Sequence, residues 1–238
     1  MKLTEIEIQE TLERYDAYLT AAYVRGALMG KRMLSQELEE MPLEVLTDVE
    51  LAEIALTGEN AGLSLYHFKR KEPLPRVSSV LGFLSGIQPQ TLLDVGSGRG
   101  AFLFPFLNQF PDTAVTSVDL LPRRVQMLDL VHQGGVERLT ALQQDICTWE
   151  KMEKSFDVVT LLEVLEHIPD VQQAVKAAVK LARRYVVVSV PSKPDDNPEH
   201  IHLLTKDILT ELFGNAGCSK LHFGGVNGHL IMTAVVEA

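Results

Sequence analysis

The chain is poor in several things that would place it in a specialised class. It has only two cysteines, Cys147 and Cys218, in 238 residues. They form neither a metal-type spacing nor a disulfide framework. Basic side chains are outnumbered, 22 Lys and Arg against 32 Asp and Glu, for a formal net charge of −10. That excess excludes bulk attraction of nucleic acid and leaves only a local patch for it. No apolar run approaches the ~20 residues of a membrane helix, so no membrane association is expected. The opening "MKLTEIEIQE" alternates charged and apolar residues instead of building a signal-peptide core, and a cytoplasmic location is expected. Internal repeats and low-complexity tracts are also missing.

What is present is an ordinary globular composition, 46% hydrophobic and 23% charged, long enough for one domain and an appendage. Residues 1–72 read as a helical cap. Ile6, Leu12, Leu19 and Tyr23 recur at roughly helical spacing, and Thr47-Asp48-Val49-Glu50 has the form of a capping box. Pro73 and Pro75 then punctuate the chain before a short helix, "RVSSVLGFLSG". Residues 73–238 read as a second domain. There "TLLDV", "AVTSVDL", "RLTALQ", "FDVVTLL" and "YVVVSV" are short β-branched runs separated by helical patterns, including "AFLFPFLNQF" and "VQQAVKAAVKLARR". This alternation predicts an α/β, doubly wound, mostly parallel sheet with both faces covered. Only the third-to-fourth connection, through Trp149, is short. Asn227-Gly228 between "SKLHFGGV" and "HLIMTAVV" predicts a hairpin, so the last strand should run antiparallel.

The chemistry starts at "LLDVGSGRGAF", where the first strand meets its helix. Gly96, Gly98 and Gly100 permit a sharp turn and close backbone approach to a ligand, while the helix N-terminus offers free N–H groups to an anion. Gly96, Gly98 and Ala101 also satisfy a loose dinucleotide fingerprint, which keeps a nicotinamide dehydrogenase in view. Asp94 stands two residues before the first glycine, where nicotinamide-binding strands keep an apolar or small residue. Asp119 ends the second strand about 20 residues beyond the glycines, at a position suited to ribose hydroxyls. Asp145, followed by Ile146, comes after the third strand.

In this order the motifs over residues 74–238 resemble the class I S-adenosylmethionine (SAM)-dependent methyltransferases. The resemblance implies a seven-stranded Rossmann-like sheet with a reversed last strand and SAM as cofactor. It implies cofactor contacts from Asp94, Gly96, Gly98, Gly100, Asp119, Leu120, Asp145, Ile146 and Leu162, with Asp145 at the adenine amino group. Catalysis would be in-line methyl displacement, in which the protein aligns nucleophile, methyl carbon and sulfur and excludes water.

The stretch "LLEVLEHIPD" concentrates two carboxylates and an imidazole. If "EVLEHI" opens a helical turn, Glu163, Glu166 and His167 share one face at positions i, i+3 and i+4. The later loop "SKPDDNPEHIHLLT" supplies His200 and His202. Two carboxylates and two imidazoles suit Mg²⁺, Mn²⁺, Fe²⁺ or Zn²⁺. The pattern resembles the metal-holding E-x-x-E-H…H of small-RNA 3′-terminal 2′-O-methyltransferases, and the E-x-x-E-H of ubiquinone-biosynthesis O-methyltransferases. This implies a metal on Glu163, Glu166, His167 and His200, with His202 the rival to His200. A shorter segment after the fifth strand, without the aromatic-rich continuation of the RNA enzymes, separates this chain from them. Without a metal, His167 or His200 is the candidate general base, and Glu163 the residue facing the cofactor.

The expected activity is O-methylation of a hydroxyl. The acceptor is either a small molecule (quinone-, catechol- or natural-product-like) or an RNA ribose. A non-catalytic SAM-binding scaffold is the reading outside catalysis. Lys69, Arg70 and Arg76 are expected on a solvated basic face, Tyr66 and Phe68 in a lid or a packing contact, and His132, His222 and His229 in structural roles.

Overall fold

The structure is a computed structural model, and it describes residues 3–194 and 196–236. The chain divides into two compact units, one of residues 1–72 with 122–141 and the other of residues 73–121 with 142–238.

The first unit is built from helices α1 (Glu5–Arg14), α2 (Ala17–Leu28), α3 (Gln36–Glu40), α4 (Asp48–Asn60) and α7 (Pro122–Gln133). Its helix starts are written locally. Thr4 with Glu7 and Thr47 with Glu50 form complete capping boxes, and Asp16 and Ser35 accept from the backbone N–H three residues on. Helix α2 is the centre, with Leu19, Ala21, Ala22 and Val24 fully buried. It meets α7 at backbone distance: a Cβ on Gly26 would lie 2.0 Å from the Leu130 carbonyl oxygen, and one on Gly134 would lie 1.7 Å from that of Ala22. This close crossing explains why residues 122–141, counted by sequence order with the sheet domain, pack among the N-terminal helices. The segment after α4 returns to the start of α2, where Asp16 N–H donates to the Phe68 carbonyl at 2.8 Å and Arg70 Nε to that of Tyr15 at 2.9 Å. Phe68 is buried there with its ring centroid 5.0 Å from that of Tyr23.

The second unit holds helices α5 (Pro75–Ile87), α6 (Leu103–Gln109), α8 (Val171–Leu181) and α9 (Lys206–Asn215). Its strands are β1 (Thr91–Val95), β2 (Ala114–Asp119), β4 (Phe156–Leu162), β5 (Ala182–Pro191), β6 (Lys220–Val226) and β7 (His229–Val235); β3 (Leu139–Gln143) begins among residues of the first unit. The seven-stranded order is β3-β2-β1-β4-β5-β7-β6. Pairing of β1 with β2 and β4, and of β4 with β5, is parallel, whereas β7 runs antiparallel to both β5 and β6. Succession therefore reverses between β1 and β4, and in open α/β sheets that reversal opens a crevice beyond the strands' carboxyl ends.

Two local departures have tertiary causes. Helix α8 stops at Leu181, and Ala182 is already paired with Phe156 of β4, so sheet pairing overrides the helical pattern of "KLARR". The β3-to-β4 connection carries no helix, and Ile146 and Trp149 pack on the sheet core in its place. The Asn227-Gly228 turn has φ 45° and 87°, the left-handed pair that a two-residue hairpin requires. No helix among the described residues is long and apolar enough to cross a membrane.

Candidate functional site

After Val95 the chain turns through Gly96, Gly98 and Gly100, all at positive φ (68°, 58° and 79°). Gly96 N–H donates to the Val118 carbonyl at 2.7 Å, tying the turn to β2. A Cβ on Gly96 would meet Val164 Cγ2 at 2.7 Å, whereas the nearest atom to one on Gly98 is the Gly96 carbonyl oxygen at 3.8 Å. The loop is thus packed against the chain that follows β4 and open at its middle glycine. This is the shape that lets backbone approach a ligand.

Asp94 lies beneath this loop, 2% exposed. Ser97 Oγ donates to its Oδ2 at 2.5 Å and Thr160 Oγ1 to its Oδ1 at 2.7 Å, while Ser97 Oγ also lies 2.6 Å from Ser117 Oγ. Burial pushes the Asp94 carboxyl up to about 6; the two hydroxyl donors oppose the rise and the nearby Asp119 charge adds to it. The carboxylate therefore braces the loop against β4. Asp119 closes β2, its Oδ1 accepting from Leu121 N–H at 2.9 Å, and Leu120 beside it is 61% exposed. Asp145 Oδ1 accepts from Cys147 N–H at 2.9 Å, next to buried Ile146. Carboxylates thus stand at the carboxyl ends of β1, β2 and β3, followed in sequence by exposed Leu120 after Asp119 and core-packed Ile146 after Asp145. Leu162, half-buried, ends β4. A glycine-punctuated turn with carboxylates at the ends of β2 and β3 suits a nucleoside carrying hydroxyl and amino donors.

Beyond β4 the structure differs from the predicted shared face. Glu163 has φ 58°, and the 3-10 turn covers only Leu165–His167. A left-handed residue at the strand end sends the Glu163 side chain away from Glu166 and His167. Its carboxylate instead accepts from Ser189 Oγ at 2.7 Å and faces His229 Nδ1 at 3.0 Å and Arg76 Nε at 3.7 Å. Of the four expected metal ligands the structure brings together three: ligand atoms of Glu166, His167 and His200 all lie within 4.8 Å of one another. Glu166 is 1% exposed. His167 Nδ1 lies 2.9 Å from the Glu199 carbonyl oxygen, to which only a protonated nitrogen donates, so Nε2 is the unprotonated nitrogen of the neutral ring. The His167 and His200 rings sit edge to face, 4.8 Å apart. His202 turns elsewhere, its Nε2 lying 3.0 Å from the Ile168 carbonyl oxygen.

Sequence reasoning missed the partners of Glu163. Arg76, expected on a solvated face, and His229, expected to be structural, converge on it, with Arg76 Nη1 3.5 Å from His229 Nε2. The one available signal was the hairpin. Its register pairs His229 with Pro191 and so puts His229 beside the carboxyl end of β5. Elsewhere, a cavity of about 710 Å³ between the 146–152 connection and α8 is lined by Trp149, Met152, Lys176 and Lys180. Of the candidate residues it includes only Ile146.

Comparison with known proteins accords with this geometry. A family described as "Methyltransferase domain" matches residues 67–222. The ubiquinone biosynthesis O-methyltransferase of Photorhabdus laumondii is 30% identical over 115 residues, 48% of this chain and 47% of that protein. The chain thus spans about half the length of the curated relatives it matches. Among solved structures, magnesium protoporphyrin IX methyltransferase from Synechocystis PCC 6803 with bound SAH is 18% identical. Its TM-score is 0.53, over 68% of this chain and 82% of that one. The methyltransferase domain of a bacterial CtHen1 is also 18% identical, with TM-score 0.55 over 67% of this chain and 97% of that one. At these identities the two structures show the fold alone. The chain belongs to the methyltransferase-domain family and, within it, to the class I SAM-dependent methyltransferases.

Proposed function

We propose that the protein methylates a hydroxyl oxygen of a small-molecule acceptor. The observation that carries this reading is a pair of proton-accepting groups in the chain beyond β4, His229 against Glu163 in one and His167 and His200 with Glu166 in the other. Hydroxyl acceptors must lose a proton as they are methylated, and these are proton-accepting groups beside the glycine loop. Bound SAM supplies an electrophilic methyl carbon on a sulfonium. In this reading Asp119 accepts hydrogen bonds from the ribose, Asp145 from the adenine amino group, and Leu120 and Ile146 flank the purine. Asp94 holds the loop in shape. The net charge of −10 favours a small acceptor over RNA. The test is an acceptor screen with methyl-labelled SAM, offering catechols, simple phenols, amines and RNA duplexes with free 3′ ends. Label on a phenolic or catecholic oxygen is expected, and label on RNA or amines alone would overturn the reading.

A second reading, metal assistance, is favoured by the Glu166–His167–His200 cluster. Two imidazoles and a carboxylate suit Mn²⁺, Fe²⁺ or Zn²⁺, and the Glu199 carbonyl would orient His167 as an outer partner does. A cation held there would lower the pKa of a coordinated hydroxyl. Calorimetric titration of metal-free protein with Mn²⁺, Mg²⁺ and Zn²⁺ checks it. Binding that disappears in Glu166→Gln is expected, and no heat from the wild type with any of the three removes this reading.

A further inference from the structure

The Arg76–Glu163–His229 group has a composition that the nearby Glu166 cluster lacks: one obligatory donor and one available acceptor side by side. Arg76 comes from α5, Glu163 follows β4, Ser189 lies in β5 and His229 opens β7. All three charged or titratable side chains are about three-quarters buried, at 23%, 21% and 25% exposure. Glu163 Oε1 accepts from Ser189 Oγ at 2.7 Å, and Oε2 lies 3.0 Å from His229 Nδ1 as a charge contact without hydrogen-bond geometry. Arg76 is a donor only, so its contact makes Nε2 the acceptor and places the proton of the neutral ring on Nδ1, the side that the Glu163 charge favours. Nε2 meets Arg76 Nη1 at 3.5 Å, at the long limit of hydrogen bonding, so the contact is weak and easily opened.

A hydroxyl is the group that fits between such a pair, because it donates and accepts through one atom. It would give its hydrogen to His229 Nε2 and accept from Arg76 Nη1–H. A carboxylate offers no proton for Nε2, and an ammonium offers no lone pair for Arg76. Position agrees as well. Glu163 is bonded to Val164, whose Cγ2 is the atom nearest a Cβ placed on Gly96. The carboxylates of β1, β2 and β3 mark the donor's side of the crevice, which leaves the ends of β4, β5 and β7 for the acceptor.

Resting on the O-methylation reading above, we propose that Arg76 and His229 form the acceptor-activating site and that its substrates are phenols or catechols. Acidity selects the class: a phenolic hydroxyl ionises near ~10, as tyrosine does, and gives up its proton to a neutral imidazole far more readily than an aliphatic hydroxyl does. His229 Nε2 takes the phenolic proton while an oxygen lone pair forms the new bond to the methyl carbon. The carbon–sulfur bond breaks with its electron pair going to sulfur, so cationic sulfonium becomes neutral thioether and His229 becomes imidazolium, paired with Glu163. Arg76 stabilises the developing phenolate. Glu163 acts through His229 and is a positioning residue; its positive φ is the strain that aims it there.

Two measurements on the full chain test this. The first is ¹⁵N NMR of the His229 ring, which needs no turnover. The expected wild-type tautomer carries the proton on Nδ1, Glu163→Gln shifts the balance toward Nε2, and catechol added to SAH-loaded protein moves the Nε2 resonance. The second is labelled methyl transfer to catechol across pH. His229→Asn should lower kcat about 10²–10⁴-fold with little change in KM and remove the imidazole limb of the profile. Arg76→Gln should lower kcat and kcat/KM for catechol and leave SAM affinity unchanged. Wild-type transfer to catechol with both variants equally active, or a His229 ring unmoved by catechol, overturns the proposal and leaves O-methylation standing. Label that passes to RNA but to no phenol overturns both.

Discussion

Thr160 Oγ1 donates to Asp94 Oδ1 at 2.7 Å, from β4 to β1, fastening the strand before the glycine turn to the strand before Glu163. The bond adds a buried side-chain tie to the parallel pairing of β1 with β4, between the half of the crevice marked by donor-side carboxylates and the half marked by Glu163 and its partners.

That carboxyl gives stability a pH dependence of known sign. Its folded pKa, about 6, lies above the reference 3.8. The native state therefore binds the proton more tightly than the unfolded chain does, and this group's stabilising contribution is present below about 4 and lost as pH rises through about 6. The shift corresponds to about 3 kcal/mol. Asp94→Asn, which keeps partners for both hydroxyls, should be more stable than the cofactor-free wild type at pH 7–8, with the gap closing toward pH 4. Denaturant melts of both proteins at several pH values check it; a constant gap contradicts it.

Glycine positions divide by what a methyl group would meet. Gly134→Ala drives a Cβ to 1.7 Å from the Ala22 carbonyl oxygen, and should cost about 1–3 kcal/mol or more as α2 and α7 separate. Gly214→Ala lies in α9 with nothing within 4 Å, and should be neutral or stabilise by up to about 1 kcal/mol. Thermal melts of the two variants should move in opposite directions.

Cys147 should be a slow thiol. Burial pushes its pKa up to about 11, with Asp145 and then Asp170 adding to the rise. At pH 8 its thiolate fraction falls to roughly a thousandth, against about a quarter for an ordinary cysteine. Alkylation by iodoacetamide in the native state should run about 100-fold slower than for free cysteine, and mass spectrometry of timed digests reads it directly. Labelling at the free-cysteine rate contradicts the burial argument.

Gly96→Ala should weaken SAM binding more than Gly98→Ala. Both positions have positive φ, but only the first adds a methyl 2.7 Å from Val164 Cγ2. Combining Gly96→Ala with Val164→Ala should recover part of the loss, because the side-chain collision goes and the backbone strain stays. Dissociation constants from calorimetry decide it; no recovery in the double variant removes the collision as the cause.

Much of the fold was legible because its grammar is local. The capping box at Thr47, the glycines at positive φ after β1 and the Asn227-Gly228 turn each act within a few residues, as does the unread box at Thr4. The termination of α8 at Leu181 was not legible, because Ala182 joins β5 through pairing with Phe156, 26 residues earlier in the sequence. Helical periodicity put Glu163, Glu166 and His167 on one face, and a single left-handed φ at Glu163 removed the first of them. What Glu163 meets instead, Arg76 and His229, lies 87 residues before it and 66 after it. No spacing rule spans such distances; the strand order β4-β5-β7 brings His229 to Glu163, and the start of α5 brings Arg76.

The central claim is that the carboxyl ends of β1, β2 and β3 cradle SAM with Asp119 on its ribose. Isothermal titration of the wild type and Asp119→Ala with SAM tests it most directly. One-to-one binding by the wild type, weakened about 10- to 100-fold in the variant, is the predicted result for loss of hydrogen bonds to a carboxylate. Equal affinity in the two proteins, or no binding by the wild type, would contradict it.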